Sequence, residues 1–201
     1  LVEVHGAGHV TGIDIDERML AQARRLIDDN GFADRVTLRC VEPGPLTFAD
    51  GAFDTVFSKD AIIHVVDKAA LYGDIMRVLR PGGALAISDW LFDLSAPLSA
   101  ETKEWLDLGG LTFQLETAAN VLPMLEAAGF VDISFRDRNA WYQDEIIRGE
   151  VARTTGENFD RLVETVGREM AEHRRDSSAR KCRVVEAGVL RPTHFRAHKP
   201  L

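Results

Sequence analysis

Long apolar runs are missing from this sequence. None approaches the ~20 residues of a membrane-spanning helix, and no signal peptide opens the chain. A cytoplasmic protein without membrane contact is the expectation. Cysteine is scarce. Cys40 and Cys182 lie far apart and belong to no metal-ligand spacing, so reduced thiols and no metal site are expected. A basic excess is lacking as well: 24 Lys and Arg against 32 Asp and Glu leave a net charge of -8. That balance argues against nucleic acid or an anionic membrane as the main partner. Repeats and low-complexity tracts do not occur. The dinucleotide fingerprint is absent too, because Gly6, Gly8 and Gly12 have the wrong spacing for G-x-G-x-x-G and no helix follows them. A nicotinamide-dependent oxidoreductase is correspondingly disfavoured.

What is present is an alternation of strand and helix patterns. Val10–Ile15 is a short apolar strand, and Glu17–Asp29 a helix with Met19, Leu20, Ala23, Leu26 and Ile27 on its inner face. Asn30-Gly31 stops it. Val36–Glu42 is a second strand, closed by the loop Pro43-Gly44-Pro45. From Phe53 to Trp90 the pattern reads strand, loop, helix, turn, strand, the unit of a parallel α/β sheet. Asp67 is an N-cap, and Leu71, Ile75, Val78 and Leu79 share one helical face. Pro81 is expected to end the helix, with Gly82-Gly83 turning into the strand Ala84–Ser88. At 201 residues the chain is most simply one domain, 1–201.

Chemistry in open α/β sheets gathers beyond the carboxyl ends of strands. Lys59-Asp60-Ala61-Ile62-Ile63-His64 occupies such a position. So does Asp14, whose carboxylate can accept two hydrogen bonds from vicinal ribose hydroxyls or, alternatively, cap the next helix, although Asp16 is better placed for capping. Glu42, at the end of the following strand, can accept a bond from an adenine amino group. His64 can equally be a structural histidine at a helix start.

The segments VTGIDIDERMLAQARRL, VEPGPLTFADGAFDTVFSKDAIIHV and LYGDIMRVLRPGGALAISDW resemble, in order and spacing, the class I S-adenosylmethionine-dependent methyltransferases. The resemblance implies a Rossmann-like fold: a seven-stranded, mostly parallel sheet with an antiparallel last strand and helices on both faces. It implies S-adenosyl-L-methionine as cofactor, held by Asp14 at the ribose, Ile15 and Glu42 at the adenine, and Met19 and Ser58 nearby. The family's glycine-rich loop and first strand lie upstream of the Val10 strand. Leu1–His5 is read as the end of the helix after that loop, so the loop itself is expected to be missing from this sequence.

Within the class, S-K-D-A-I-I-H is most similar to the phosphoethanolamine N-methyltransferases. The resemblance makes Asp60 and His64 the catalytic pair beside the amine. The chemistry agrees. A sulfonium methyl is already electrophilic, so the work is to align an amine lone pair with it. An imidazole, with an ordinary pKa of about 6.5, can remove the proton that blocks that lone pair, while a carboxylate orients the amine. Trp90 and Trp105 stand where the family has two Tyr of the acceptor pocket, and their faces can hold a methylated ammonium. The family's phosphate-binding Arg and Tyr fall at Gly109 and Leu111, which cannot hold a phosphate dianion. Arg191 is a loose match to another basic residue of the family. These departures point away from phosphoethanolamine and toward a different small amine, with an O- or C-acceptor or a non-catalytic donor-binding role as alternatives.

Farther along, Ser99–Leu108 and Thr117–Ala128 are helical, Ile133–Arg136 is a strand, and His194–Ala197 is the last strand, returning antiparallel beside it. Tyr142–Arg175 is helical, with Arg174-Arg175 and Arg180-Lys181 read as a solvated turn rather than as an anion site. Residues 140–190 form a long excursion suited to a lid over the acceptor pocket. A small-molecule acceptor and a monomer or homodimer complete the expectation.

Overall fold

The computed structural model describes residues 1–108 and 113–201. Gly109 and Leu111, the two positions weighed for phosphate binding, lie outside the described residues. The chain divides into two compact units, Leu1–Pro45 and Leu46–Leu201.

In the first unit, helix α1 (Val2–His5) ends on Gly6 in the left-handed conformation. Strand β1 (Val10–Asp14) leads into α2 (Glu17–Asp29), and β2 (Val36–Cys40) pairs parallel with β1. The strands bring Gly12 opposite Leu38, and a Cβ on Gly12 would meet the Leu38 side chain at 2.7 Å. A side chain at Gly12 would require the end of the Leu38 side chain to move aside. The expected inner face of α2 needs correction. Leu20 is buried and Ala23 and Ile27 are half-buried, but Met19 and Leu26 are 53% and 64% exposed. Residues 20, 23 and 27 follow the helical period, whereas 19 and 26 form a neighbouring stripe.

The second unit is built on one sheet. Strand β3 (Phe53–Lys59) runs parallel to β4 (Leu79–Phe92), with α3 (Lys68–Val78) between them in sequence. Asp67 caps α3 by accepting the Ala70 N–H. Helices α4 (Ala100–Leu108) and α5 (Ala118–Ala127) precede β5 (Val131–Asp137). The chain then makes a helical excursion of α6 (Asn139–Trp141), a π-helical turn (Tyr142–Ile147), α7 (Arg148–Arg153), α8 (Gly156–Val166) and α9 (Arg168–Glu186). Finally β6 (Leu190–His198) inserts between β4 and β5, antiparallel to both. β3, β4 and β5 thus share one direction and the last strand alone opposes them.

Two local expectations were wrong. The helix does stop before Pro81, at Val78, but the Pro81-Gly82-Gly83 stretch is not a turn ahead of the strand; it lies inside β4. The register passes from Phe53↔Leu79 to Thr55↔Ala84, so β4 bulges there. Gly83 permits this, since a Cβ on it would lie 2.8 Å from the Arg80 carbonyl oxygen. The Arg174-Arg175 and Arg180-Lys181 pairs sit on α9, a continuous helix, and not on a turn.

Alternation along β4 places Leu85, Ile87, Asp89 and Leu91 on one buried face, with Ser88 and Trp90 on the other. Tyr72 and Ile75 of α3 and Val121 and Leu125 of α5 pack with that face to make the main core. A second core joins Ile63, Phe92 and Trp105 to Tyr142, Cys182 and Val185 of the excursion. The excursion is therefore part of the folded unit.

Candidate active site

The site segment begins where β3 ends. Asp60 has φ 53°, a left-handed conformation that Asp tolerates better than most residues. Its N–H still donates to the Ser88 carbonyl at 2.9 Å, so the chain leaves the sheet immediately afterwards. Its carboxylate is 42% exposed and paired with Lys59 Nζ at 2.6 Å. A 3₁₀ turn follows, Ile62–His64, in which Ile62 enters the main core and Ile63 the second core. Two consecutive isoleucines, sent into different cores, fix the half-buried His64 between them and the start of α3.

Asp89 holds this turn from below. One carboxylate oxygen accepts the Ile63 N–H at 3.0 Å and the other the Trp90 N–H at 2.8 Å. Burial pushes its pKa up, and the two backbone donors oppose that shift. Lys68 staples the other side: its Nζ donates to the Val65 carbonyl at 2.8 Å and to the Gln114 carbonyl at 3.1 Å. Burial lowers the pKa of this ammonium, with Glu116 and Asp89 acting in the opposite sense. Gln114 N–H donates to the Ile63 carbonyl at 2.9 Å, which draws residues 113–114 alongside the turn.

Phe113 consequently lies against the His64 ring, with centroids 5.4 Å apart, and stacks on Trp105 at 5.6 Å. His64, Phe113 and Trp105 form one row. Trp90 faces a different neighbourhood. Tyr142 meets it edge-on at 4.9 Å, and the Lys181 ammonium sits 5.8 Å from the centre of its ring. Lys181 pairs with Glu150, which also accepts from the Tyr142 hydroxyl at 3.1 Å and from Ser178 Oγ at 2.9 Å. Burial alone would raise the pKa of Glu150, but these three donors outweigh it and the net shift is downward. The Tyr142 phenol is pushed up, by burial first and then by the Glu150 charge.

Phe113, Tyr142 and Glu150 were not singled out in the sequence, and Lys181 was read only as part of a basic pair. Nothing in their spacing connects them to His64 or Trp90. Asp89 did leave a signal: it is an acid on the apolar parity of an alternating strand.

The first unit carries the residues expected at the cofactor. Asp16, not Asp14, caps α2, accepting the Arg18 N–H at 2.8 Å, and the Arg18 guanidinium beside it holds its carboxyl down at about 2. Asp14 accepts the Asp16 N–H through Oδ1 at 2.9 Å, while Oδ2 takes no hydrogen bond among the described residues. Ile15 is 65% exposed, and Glu42 is also exposed. Ser58 is half-buried on β3 in the second unit. A half-buried carboxylate with one open oxygen, followed by an exposed apolar side chain, fits the ribose and adenine of an adenosine group.

A methyltransferase domain model matches residues 1–134, about two thirds of the chain. The chain belongs to that methyltransferase domain family. Among curated relatives, phosphoethanolamine N-methyltransferase 1 of Arabidopsis thaliana is 31% identical over 150 residues, covering 74% of this chain and 29% of that protein. The arsenite methyltransferase of Halobacterium salinarum is 34% identical over 140 residues, covering 68% of this chain and 35% of the relative. The chain thus spans only about a third of the length of these relatives. Among solved structures, phosphoethanolamine N-methyltransferase 2 of Haemonchus contortus, in complex with phosphomonomethylethanolamine and S-adenosylhomocysteine, superposes with a TM-score of 0.86 at 22% identity. That likeness covers 96% of this chain and 44% of the other, and establishes the Rossmann-like methyltransferase fold. No helix among the described residues is long and apolar enough to cross a membrane.

Proposed function

We propose that this chain is an S-adenosylmethionine-dependent methyltransferase acting on the nitrogen of a small amine. The observation that carries this reading is His64, fixed at the carboxyl end of a parallel strand by Asp89, with Asp60 four residues before it and Phe113 against its ring. When bound, S-adenosylmethionine supplies an electrophilic methyl carbon on a sulfonium sulfur. Asp14, Ile15, Met19, Glu42 and Ser58 are the residues assigned to hold it. The remaining work belongs to the protein. Asp60 accepts a hydrogen bond from the incoming ammonium and orients it. His64 takes one proton from the nitrogen, which exposes the lone pair. Phe113 and Trp105 exclude water beside the imidazole, which keeps that proton transfer local. With the donor bound, the exposed lone pair would face its methyl carbon, and His64 would hold the abstracted proton and release it to solvent after transfer.

Trp90 and Trp105 are assigned to the acceptor's cationic end. Residues 140–190 act as the lid, and the two compact units belong to one methyltransferase domain. Because the excursion contributes to the second core, the lid role is better tested by Glu150→Gln than by deletion.

The arsenite methyltransferase among the relatives gives weight to a second reading, transfer to an acceptor atom other than nitrogen. Product analysis separates the two. The protein is incubated with S-adenosylmethionine and panels of small amines, phenols and carbon acids, and methylated products are identified by mass spectrometry. N-methylated products from the amine panel are expected. Methylation confined to phenols or carbon acids sinks the proposal.

A further inference from the structure

A groove of about 340 Å³ lies on the helical excursion, lined by Glu150, Arg153, Thr154, Leu162, Arg174 and Ser178. That is the scale of a small-ligand site, which runs from about 300 to 1,000 Å³. The basic residues of α9 explain why it is unusual. Arg168 pairs with Glu172, Arg175 with Asp176, Arg180 with Glu104, Lys181 with Glu150 and Arg183 with Glu101. Arg174 alone in that row has no hydrogen bond or ion pair among the described residues, and it faces the groove. Arg153, at the end of α7, is unpartnered in the same sense and lines the same groove.

The one carboxylate in the lining is already satisfied. Glu150 receives Lys181, the Tyr142 hydroxyl and the Ser178 hydroxyl. Thr154 Oγ1 is committed too, donating to the Glu150 carbonyl at 3.1 Å. The donors left over are the two guanidinium groups, planar forks that match carboxylate and phosphate oxygens. With Glu150 neutralised by Lys181, the groove carries two uncompensated positive charges, while Leu162 adds an apolar wall. We propose that this groove binds a small oxyanion, a carboxylate or phosphate monoester, through Arg153 and Arg174. The anion is either the tail of the methyl acceptor or a separate ligand.

The site goes beyond the methyl-transfer reading, and its first test does not depend on it. The protein is titrated with inorganic phosphate and with acetate at constant ionic strength, and the heat of binding is followed. Saturable binding of at least one of them is expected, weakened about tenfold in Arg153→Gln and again in Arg174→Gln, the scale of losing a charge-assisted hydrogen bond. Arg→Lys at either place loses less, since the charge remains and only the fork is gone. Both residues are exposed, so unchanged melting temperatures verify that the variants fold. No saturable binding, or equal affinity in the double Gln variant, overturns the proposal.

A second arm separates the two sources. If the oxyanion is the acceptor's tail, the KM for an amine bearing a phosphate or carboxylate rises about tenfold or more in the double variant, and the KM for an uncharged-tail amine does not. If both KM values hold while phosphate or acetate binding is lost, the site serves a free anion. A protein that binds the oxyanion and methylates no amine leaves this site standing and rejects only the N-methyl reading.

Discussion

Two aromatic neighbourhoods meet in the second core, and they are built on opposite physical principles. The His64–Phe113–Trp105 row is held by backbone hydrogen bonds from Ile63 and Gln114 and by ring packing. The Trp90–Tyr142 pair is held by an ion pair, Lys181 with Glu150, brought in by the excursion. Each contains one buried or half-buried carboxylate, and the two titrate in opposite senses. Asp89, bonded to backbone N–H groups and to no cation among the described residues, has its pKa raised by burial; Glu150, with Lys181 against it, has its pKa lowered. The first neighbourhood is thus a fixed frame around an imidazole, and the second is a charge-dependent contact of the excursion.

The largest effect is expected from removing the imidazole. His64→Ala should reduce kcat by about 10²–10⁴-fold, the usual contribution of a positioned general base. Affinity for S-adenosylmethionine, measured by titration, should stay within a few-fold of the parent. A variant that retains turnover removes His64 from the mechanism and reduces the first neighbourhood to packing.

The opposed carboxylates come next. Asp89→Asn and Glu150→Gln should each cost about 1–3 kcal/mol, because each leaves buried donors with poorer partners. Their pH dependence should differ in sign. For Glu150 the folded pKa lies below the unfolded one, so its stabilisation is present above the unfolded value and disappears as pH falls through the folded value. The gap between parent and Glu150→Gln should therefore narrow on acidification from about pH 5. For Asp89 the folded pKa lies above the unfolded one, so its contribution is present below the unfolded value and is lost as pH rises through the folded value. The gap between parent and Asp89→Asn should widen over the same acidification. Denaturant melts of the three proteins between about pH 3.5 and 7 measure this. Gaps that move together would erase the distinction.

Phe113→Ala should have a smaller effect. Loss of the ring contacts to His64 and Trp105 removes about 0.5–1.5 kcal/mol of aromatic pairing per contact. Turnover should fall with it, as the imidazole gains freedom and water. Phe113→Leu restores volume but not ring stacking, so recovery of stability without turnover would tie the ring to catalysis.

The frame was legible in sequence far more than the excursion was. Asp16, Asp67, Asn30-Gly31 and the apolar runs of β1, β3 and β4 are local signals, and α2 matches its expected bounds of Glu17–Asp29. Asp60 and His64 lie just past a strand end, as the sequence indicates, because that position is announced locally. Pro81-Gly82-Gly83 misled because the same residues serve a turn or a strand bulge, and only pairing with β3 decides between them. The Arg180-Lys181 pair misled for a related reason. Its partners, Glu104 and Glu150, are 76 and 31 positions away, so the charges looked like a solvated turn. Phe113 escaped because its place beside His64 depends on the Gln114–Ile63 hydrogen bond, 51 positions apart in sequence.

The smallest expected effect is at Lys181, and it bears directly on what the Trp90 face is for. Lys181→Met removes the ammonium from that face and leaves Glu150 with the Tyr142 and Ser178 hydroxyls. If an acceptor's cationic end uses the same ring, it competes with Lys181 in the parent. Its KM should then fall about two- to fivefold in the variant, corresponding to the roughly 0.5–1 kcal/mol of an exposed cation–π contact. Stability should drop at the same time, because Glu150 has lost its counter-charge, and the double variant Lys181→Met, Glu150→Gln should recover part of it. A raised KM carries the opposite meaning: Lys181 then acts by keeping the excursion against Trp90, and the acceptor's cation belongs to the His64–Phe113–Trp105 row alone.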